Sequence, residues 1–341
     1  MKINGNILRL VGGVSIALLG SAGVATAADF YAGKQIKFIV GAAPGGGYDL
    51  LARTVAQHLE RVIPGKPTVV VQNMPEASSL AAANFLATTA ARDGTVIALL
   101  TRSTLLSHIT NPDVIKFDFK DFNWIGNLNT ETSVAFAWHT KAHRTAKDIL
   151  EKPLIVGGVT VGDPGVTAQL YNKLVGAKFE IVNGYRGTTE IGLAIERGEV
   201  EGIADWSWSS LKSQKGDWLR DRKITLLVQG ANHSHPELPD IPNVVSLTTN
   251  DLDRAAMEMY MTQKTIARPV VAPPGVPSAQ LETLRSALTM LPQDREFQDD
   301  VHRRKIEIDI MSADKAREEM RKIVDARPAV VKRLAEVIGP R

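Results

Sequence analysis

The 341-residue chain contains no cysteine. That absence excludes disulfides, thiolate nucleophiles and cysteine-ligated metals. Aromatic residues make up only 6%, and low-complexity tracts and short-period repeats are missing. With 44% hydrophobic and 23% charged residues, the composition is that of an ordinary globular protein, neither disordered nor fibrous. Strong charge of either sign is also lacking, with 40 Lys+Arg against 37 Asp+Glu. Residues 1–27 hold Lys2 and Arg9 and no acid, so their removal leaves a net charge of +1. A dedicated nucleic-acid binder with a strong positive field is excluded on that count. Beyond the N-terminus no apolar run is long enough to span a bilayer.

What is present begins with a three-part N-terminus. Lys2 and Arg9 precede an uncharged apolar run from Leu10 to Val24, and Ala25-Thr26-Ala27 offers small residues where a signal peptidase cuts. Four glycines in that run (Gly12, Gly13, Gly20, Gly23) make a packed core helix poor. The expectation is a cleaved leader, with cleavage after Ala27 and export. An exported chain of this size without disulfides points to a bacterial periplasm.

The length exceeds a usual single core, so two domains are expected. Short β-branched runs alternate with helical stripes. Ile36–Val40 reads as a strand, and Leu51, Val55, Leu59 and Val62 as one face of a helix. Strand Thr68–Gln72, helix Leu80–Ala90 and strand Thr95–Leu100 complete a βαβαβ unit. A second unit follows: strand Leu154–Val156, helix Val166–Val175, strand Phe179–Val182, helix Ile191–Arg197 and strand Ile224–Val228. Strands are further expected at Ile266–Ala272 and Ile306–Ile310, with helices around Leu281–Leu288, Glu296–Arg304 and Lys315–Val324. The fold class is therefore α/β, with two parallel-sheet domains. No Gly/Ser or Pro-rich linker separates them, so strands crossing between the domains and leaving a cleft are expected. Ligands of open parallel sheets sit at the carboxyl ends of the strands, which directs attention to the βα loops.

The loop after the first strand is Pro44-Gly45-Gly46-Gly47-Tyr48-Asp49. Three glycines let backbone come close to a ligand, and the helix that follows favours an anion. It is equally a tight turn with Asp49 capping the helix or sitting in its first turn. The dinucleotide fingerprint fails because its third glycine would fall at Leu50, and no Gly-Lys-Ser/Thr completes a Walker loop. Ser78 and Ser79 follow the second strand, either capping a helix or donating to a carboxylate. Thr101-Arg102-Ser103-Thr104 follows the third, and Arg102 reads there as a solvated rim residue. Gly184-Tyr185-Arg186-Gly187-Thr188 repeats the glycine-turn logic, with Arg186 able to pair bidentately with a carboxylate. Tyr48, Tyr185, Trp206 and Trp208 fall in these loops, either as core or as cover for a flat ligand body. Nucleophile elbows and zinc-protease motifs are absent. His139 and His143 share helical spacing but read as surface residues beside Lys141 and Arg144.

The ordered set of short motifs resembles a known family. Pro44-Gly-Gly-Gly-x-Asp-x-x-Ala-Arg53, Val69-Val-Val-x-Asn-x-Pro75, Ala91-Arg-Asp-Gly94, Gly184-Tyr-Arg-Gly187, Glu199-Val-Glu-Gly202, Pro236-Glu-Leu-Pro-Asp-Ile-Pro242 and Pro273-Pro-Gly-Val-Pro277 run nearly the whole length of the chain. They are similar to those of Bug-type receptors, the periplasmic solute receptors of tripartite tricarboxylate transporters. The resemblance implies two α/β domains that close like a Venus flytrap, here residues 28–131 with 262–341 and residues 132–261. It implies a small organic carboxylate as ligand and membrane permease subunits as partners, with no catalysis, cofactor, metal or nucleic acid and a monomeric chain. Carried over by position, Gly45, Gly46, Gly47, Tyr48 and Asp49 line the first domain with Ser78, Ser79, Ser103 and Thr104. Thr160, Gly162, Asp163, Tyr185, Arg186, Gly187, Thr188 and Asp205 line the second. The chain departs from the family in having Glu76-Ala77-Ser78-Ser79 where a glycine-rich turn is usual, and fewer hydroxyls at Val159–Asp163. The rival readings are an exported enzyme using Asp49, Asp163 or Asp205 as acid or base, and a receptor that feeds a sensor.

Overall fold

The computed structural model describes residues 1–2, 30–77, 79–110, 112–159 and 163–339. The leader expected at residues 1–27 falls almost wholly outside the described residues, as do the expected contacts Ser78, Thr160 and Gly162.

In chain order the strands are β1 (Gln35–Val40), β2 (Thr68–Asn73), β3 (Val96–Leu99), β4 (Asn123–Asn127), β5 (Ser133–Trp138) and β6 (Leu154–Gly157). There follow β7 (Phe179–Val182), β8 (Gly202–Ser207), β9 (Ile224–Gly230), β10 (Pro269–Ala272) and β11 (Met311–Ser312). The helices that matter here are α1 (Gly47–Val62), α2 (Leu80–Thr88), α3 (Gly165–Leu174), α4 (Thr188–Arg197), α5 (Trp208–Gln214) and α6 (Asp251–Thr262). Near the C-terminus come α7 (Ser278–Met290), α8 (Arg295–Arg303), α9 (Ala313–Val324) and α10 (Pro328–Ile338).

The strands form two sheets, ordered β11-β4-β10-β3-β1-β2 and β7-β6-β8-β5-β9. In the first, β1 pairs in parallel with β2 and β3; in the second, β6 pairs in parallel with β7 and β8. The chain passes from one sheet to the other between Asn127 and Ser133, and returns between Gly230 and Pro269. The strand that arrives from the other lobe runs against its neighbours: β5 is antiparallel to β8 and β9, and β10 to β3 and β4. Both sheets are consequently mixed. An incoming strand starts at the cleft, where the parallel strands end, so the crossings and the carboxyl ends of β1, β3 and β8 meet in one place.

Helix α1 shows how the pattern becomes packing. Leu51, Val55 and Leu59 are buried along one face, in the same cluster as Phe38 and Val40 of β1. Each such side chain contributes about 1.5–3 kcal/mol on full burial. A second cluster covers the other side of the second sheet, where Trp206, Trp218 and Phe136 pack together. A third runs without interruption from α2 through Trp124 to Leu154, α6 and α10, and so belongs to both lobes.

The expected strand at Ile306–Ile310 does not form. Ile306, Ile308 and Ile310 do turn toward the first core, and Asp309 N donates to the Leu128 carbonyl at 3.1 Å, but no ladder forms over 306–310 among the described residues. Pairing begins only at Met311. The expected strand from Ile266 also starts later, at Pro269, because 263–268 is the return crossing. No helix among the described residues is long and apolar enough to cross a membrane.

Candidate functional site

Between the lobes lies a cavity of about 750 Å³, within the range of small-molecule sites. Its first wall is the loop after β1, the turn after β2, and Thr101–Ser103 after β3. The opposite wall is Val159 and Asp163–Pro164, the Gly184–Glu190 turn, and Asp205–Ser207 at the end of β8. The lobes touch across the mouth. A Cβ added at Gly187 would stand 3.7 Å from the Ala43 Cβ, and one at Gly46 would stand 4.0 Å from Thr188 Oγ1. The chain is therefore in a closed arrangement.

Asp49 organises the glycine loop. Its carboxylate accepts from Gly45 N at 2.9 Å, from Asn73 Nδ2 at 2.9 Å and from Arg53 Nε at 3.0 Å. Burial would raise its pKa, but the bonds from Arg53, Gly45 and Asn73 outweigh that and hold it below the ordinary carboxylate range. Asp49 is buried and takes no part in lining the cavity. With its oxygens engaged by the loop, a ligand ammonium has no claim on it. Asp49→Ala should lower the unfolding free energy by about 2 kcal/mol and loosen residues 43–48. A urea midpoint and amide exchange over that loop measure both, and unchanged exchange would refute the role.

At the base of the cleft the two crossings bring together three cations and three acids. Arg102, only 5% exposed, reaches Glu131 Oε1 at 2.5 Å and pairs with Asp205 Oδ1. Its Nε stands 2.9 Å from Asp163 Oδ2, out of line for a hydrogen bond. Lys264 Nζ donates to Asp205 Oδ2 and to Ser133 Oγ, both at 2.5 Å. Arg268 lies 3.0 Å from Glu131 Oε2 and stacks 3.8 Å over the Tyr48 ring. The Tyr48 hydroxyl donates to the Ala267 carbonyl at 2.9 Å and accepts from Arg102 N at 3.0 Å. Thr167 Oγ1 donates to Asp163 Oδ1 at 2.7 Å or to Asp205 Oδ2 at 3.0 Å, and the Tyr260 hydroxyl also donates to Asp163. Burial pushes Asp205 up, but Arg102 and Lys264 overcome it and hold its carboxyl down at about 2. Burial, with Arg102 adding to it, pulls the Lys264 ammonium below its usual value. Burial raises the Tyr48 phenol against the opposing pull of Arg268 and Arg102.

No protein-family model matches the chain. In sequence it is similar to a curated protein of Pseudomonas sp. (strain P51), a UPF0065 protein in the tcbD-tcbE intergenic region. The two are 24% identical over 243 residues, 69% of this chain and 70% of that one. In structure it is similar to the periplasmic binding protein BugD, with a TM-score of 0.70 at 17% identity, covering 90% of this chain and 99% of BugD. The chain has a periplasmic-binding-protein fold. MatC from Rhodopseudomonas palustris, solved with bound malate, superposes with a TM-score of 0.66 at 17% identity, over 87% of this chain and 99% of MatC. The motif resemblance and these structural neighbours agree.

On this binding-protein fold, Gly46, Gly47, Tyr48, Ser103 and Asp163 line the cavity, as do Tyr185, Arg186, Gly187, Thr188 and Asp205. Asp49, Ser79 and Thr104 stand behind the wall, and Gly45 is exposed outside the lining, facing Thr189 of the other lobe. Ser79 is fully buried, its hydroxyl accepting from Thr101 N at 3.2 Å, and Thr104 shares a 3.1 Å bond with the Thr101 hydroxyl. The reading of Arg102 as a solvated rim residue is corrected. It lies inside because three acids from elsewhere in the chain surround it. Arg186 is the solvated one, its side chain 75% exposed and 3.9 Å from Glu190. Trp206 lines the cavity with Tyr48 and Tyr185, whereas Trp208 turns away and donates to Glu237 at 2.6 Å. His143 is buried rather than superficial, its Nε2 3.4 Å from the Lys152 carbonyl.

Glu131, Lys264 and Arg268 escaped the sequence reading. One signal was available: Arg268 sits inside the apolar run read as a strand, and a buried cation requires a partner. On the outer rim His235, Glu237 and Glu307 gather closely enough to suggest a metal. Lys212 instead supplies the cation, 2.5 Å from Glu237 and paired with Glu307 of the other lobe.

Proposed function

We propose that the chain is a periplasmic solute-binding receptor. It is exported by a cleaved leader, captures a small organic carboxylate between its lobes and hands it to the permease of a tripartite tricarboxylate transporter. It works as a monomer and without catalysis, with residues 28–131 and 262–341 as one lobe and 132–261 as the other. The observation that carries this reading is the closed cleft, walled by a glycine loop at a helix N-terminus on one side and a glycine turn at another on the other side. The first N–H groups of α1 and α4 have no partner within their helices and suit an anion. Ser103, Thr188 and Ser207 add hydroxyls. Arg102 and Arg268 are already neutralised by Glu131, Asp163 and Asp205, so neutral donors and Arg186 take the carboxylate. Malate in MatC is a ligand of the same chemistry. Against the enzyme reading stands the engagement of the acids it would use: Asp49 holds the glycine loop, and Asp163 and Asp205 stand against Arg102. A ligand then acts by favouring the closed state over an open one.

A thermal-shift screen of the chain from Ala28 against carboxylates, each paired with its amide, tests the reading. A ligand at a hundred times its dissociation constant adds about 2.7 kcal/mol to the native state. A raised melting temperature with an acid and none with its amide is expected, and recovery of that acid unchanged excludes turnover. No response to any acid from folded protein would overturn the assignment.

A further inference from the structure

Once the charges around the cleft are paired, one is left. Arg102, Lys264 and Arg268 are matched by Glu131, Asp163 and Asp205, and Arg186 stands beside Glu190. The remaining charge is Glu76, which lines the cavity and is exposed. Among the described residues no cation stands within ion-pair distance of it.

The turn that presents Glu76 is built at a cost. Ala77 and Ser79 both have left-handed backbone, with φ of 49° and 79°, a conformation that is unfavourable for a residue with a Cβ. Glycine would remove that cost. The turn is held by Ser79, whose hydroxyl is fixed by Thr101 N and fills the space beside Gly41; a Cβ at Gly41 would fall 1.7 Å from it. Backbone strain held in place at the wall of a ligand cavity is a mark of positioning for function. Here it sets an unpaired carboxylate on that wall.

We infer that Glu76 reads a positively charged nitrogen on the ligand, so that the solute is a zwitterion, a carboxylate that also carries an ammonium or quaternary nitrogen. This rests on the receptor reading proposed above and narrows it. The carboxylate end meets the neutral donors of the glycine loop and turn, and the cationic end meets Glu76. A dicarboxylate would set its second anion against Glu76 in a cleft whose buried cations are already engaged.

Calorimetric titration with matched pairs tests this: butyrate with 4-aminobutyrate, glutarate with glutamate, and acetate with glycine betaine. At least one zwitterion should bind about ten- to a hundredfold more tightly than its parent acid, the effect of a charge-assisted contact. Glu76→Gln should erase that preference while leaving the melting temperature of the free protein unchanged, and Glu76→Lys should reverse it toward the diacid. Tighter binding of the parent acids, or a preference that survives Glu76→Gln, would overturn the zwitterion inference and leave the receptor reading standing. Silence from every carboxylate, charged nitrogen or not, would count against both.

Discussion

Arg102→Met should lower the unfolding free energy by about 3–5 kcal/mol, the usual cost of removing one partner from a buried ionic network. The cause is what remains. Glu131, Asp163 and Asp205 would face only Lys264 and Arg268, and Asp163 would lose the cation 2.9 Å from it. The methionine fills similar volume, so a cavity contributes little. Two further measurements separate the electrostatic cause from a packing fault. Arg102→Met combined with Asp205→Asn should cost less than the two single changes added, because both remove the same pair. The acid limb of stability should also move. In the native protein Asp205 titrates at about 2, below its ordinary value of 3.8. Its contribution is thus fully present above about pH 4 and is lost as pH falls through 2. Without Arg102 its folded pKa climbs, so the loss should begin at higher pH. An unfolding free energy, measured by urea titration, that changes by less than about 1 kcal/mol, with an unmoved acid limb, would show that the network is energetically idle.

This network explains which parts of the site were legible in the sequence. Loops at strand ends could be found by their glycines, since Gly45–Gly47 and Gly184–Gly187 punctuate a βα pattern that periodicity already located. The helices and the parallel strands follow from spacing in the same way, because burial of one face depends on local residues. Nothing local identifies Arg102 as buried. Its three acids come from positions 131, 163 and 205, and only the two crossings bring them to it. Asp49 shows the same limit in reverse. The Pro-Gly-Gly-Gly-x-Asp motif marks the loop correctly and the first-turn alternative for Asp49 holds, with Gly45 and Arg53 four residues away on either side, yet the bond from Asn73 that completes its engagement is a tertiary fact. The pairing at 306–310 failed for a related reason: apolar alternation predicts which side chains face the core, but a strand also needs a neighbour in register.

Gly47→Ala should leave the fold intact and prevent full closure, cutting ligand affinity at least tenfold. Gly47 is the first residue of α1, where alanine is a better helix former than glycine. Within its own lobe the change is therefore harmless or mildly stabilising. Across the cleft it is not. The new methyl would lie 2.0 Å from Ser210 Oγ and 2.9 Å from Ser210 Cβ. Rotating the hydroxyl away gives up its 3.3 Å bond from Arg268 and still leaves the Cβ in place, fixed by the backbone of α5. Relief has to come from the lobes, which separate. Small-angle scattering should show a larger radius of gyration than the parent protein at saturating ligand, and calorimetry should report the weaker binding. Adding Ser210→Gly removes both colliding atoms and should restore compaction and most of the affinity, whereas Ser210→Ala, which keeps the Cβ, should restore little. Parental affinity in Gly47→Ala alone would mean that the bound state does not bring α1 and α5 this close, and that the ligand is held in a more open cleft.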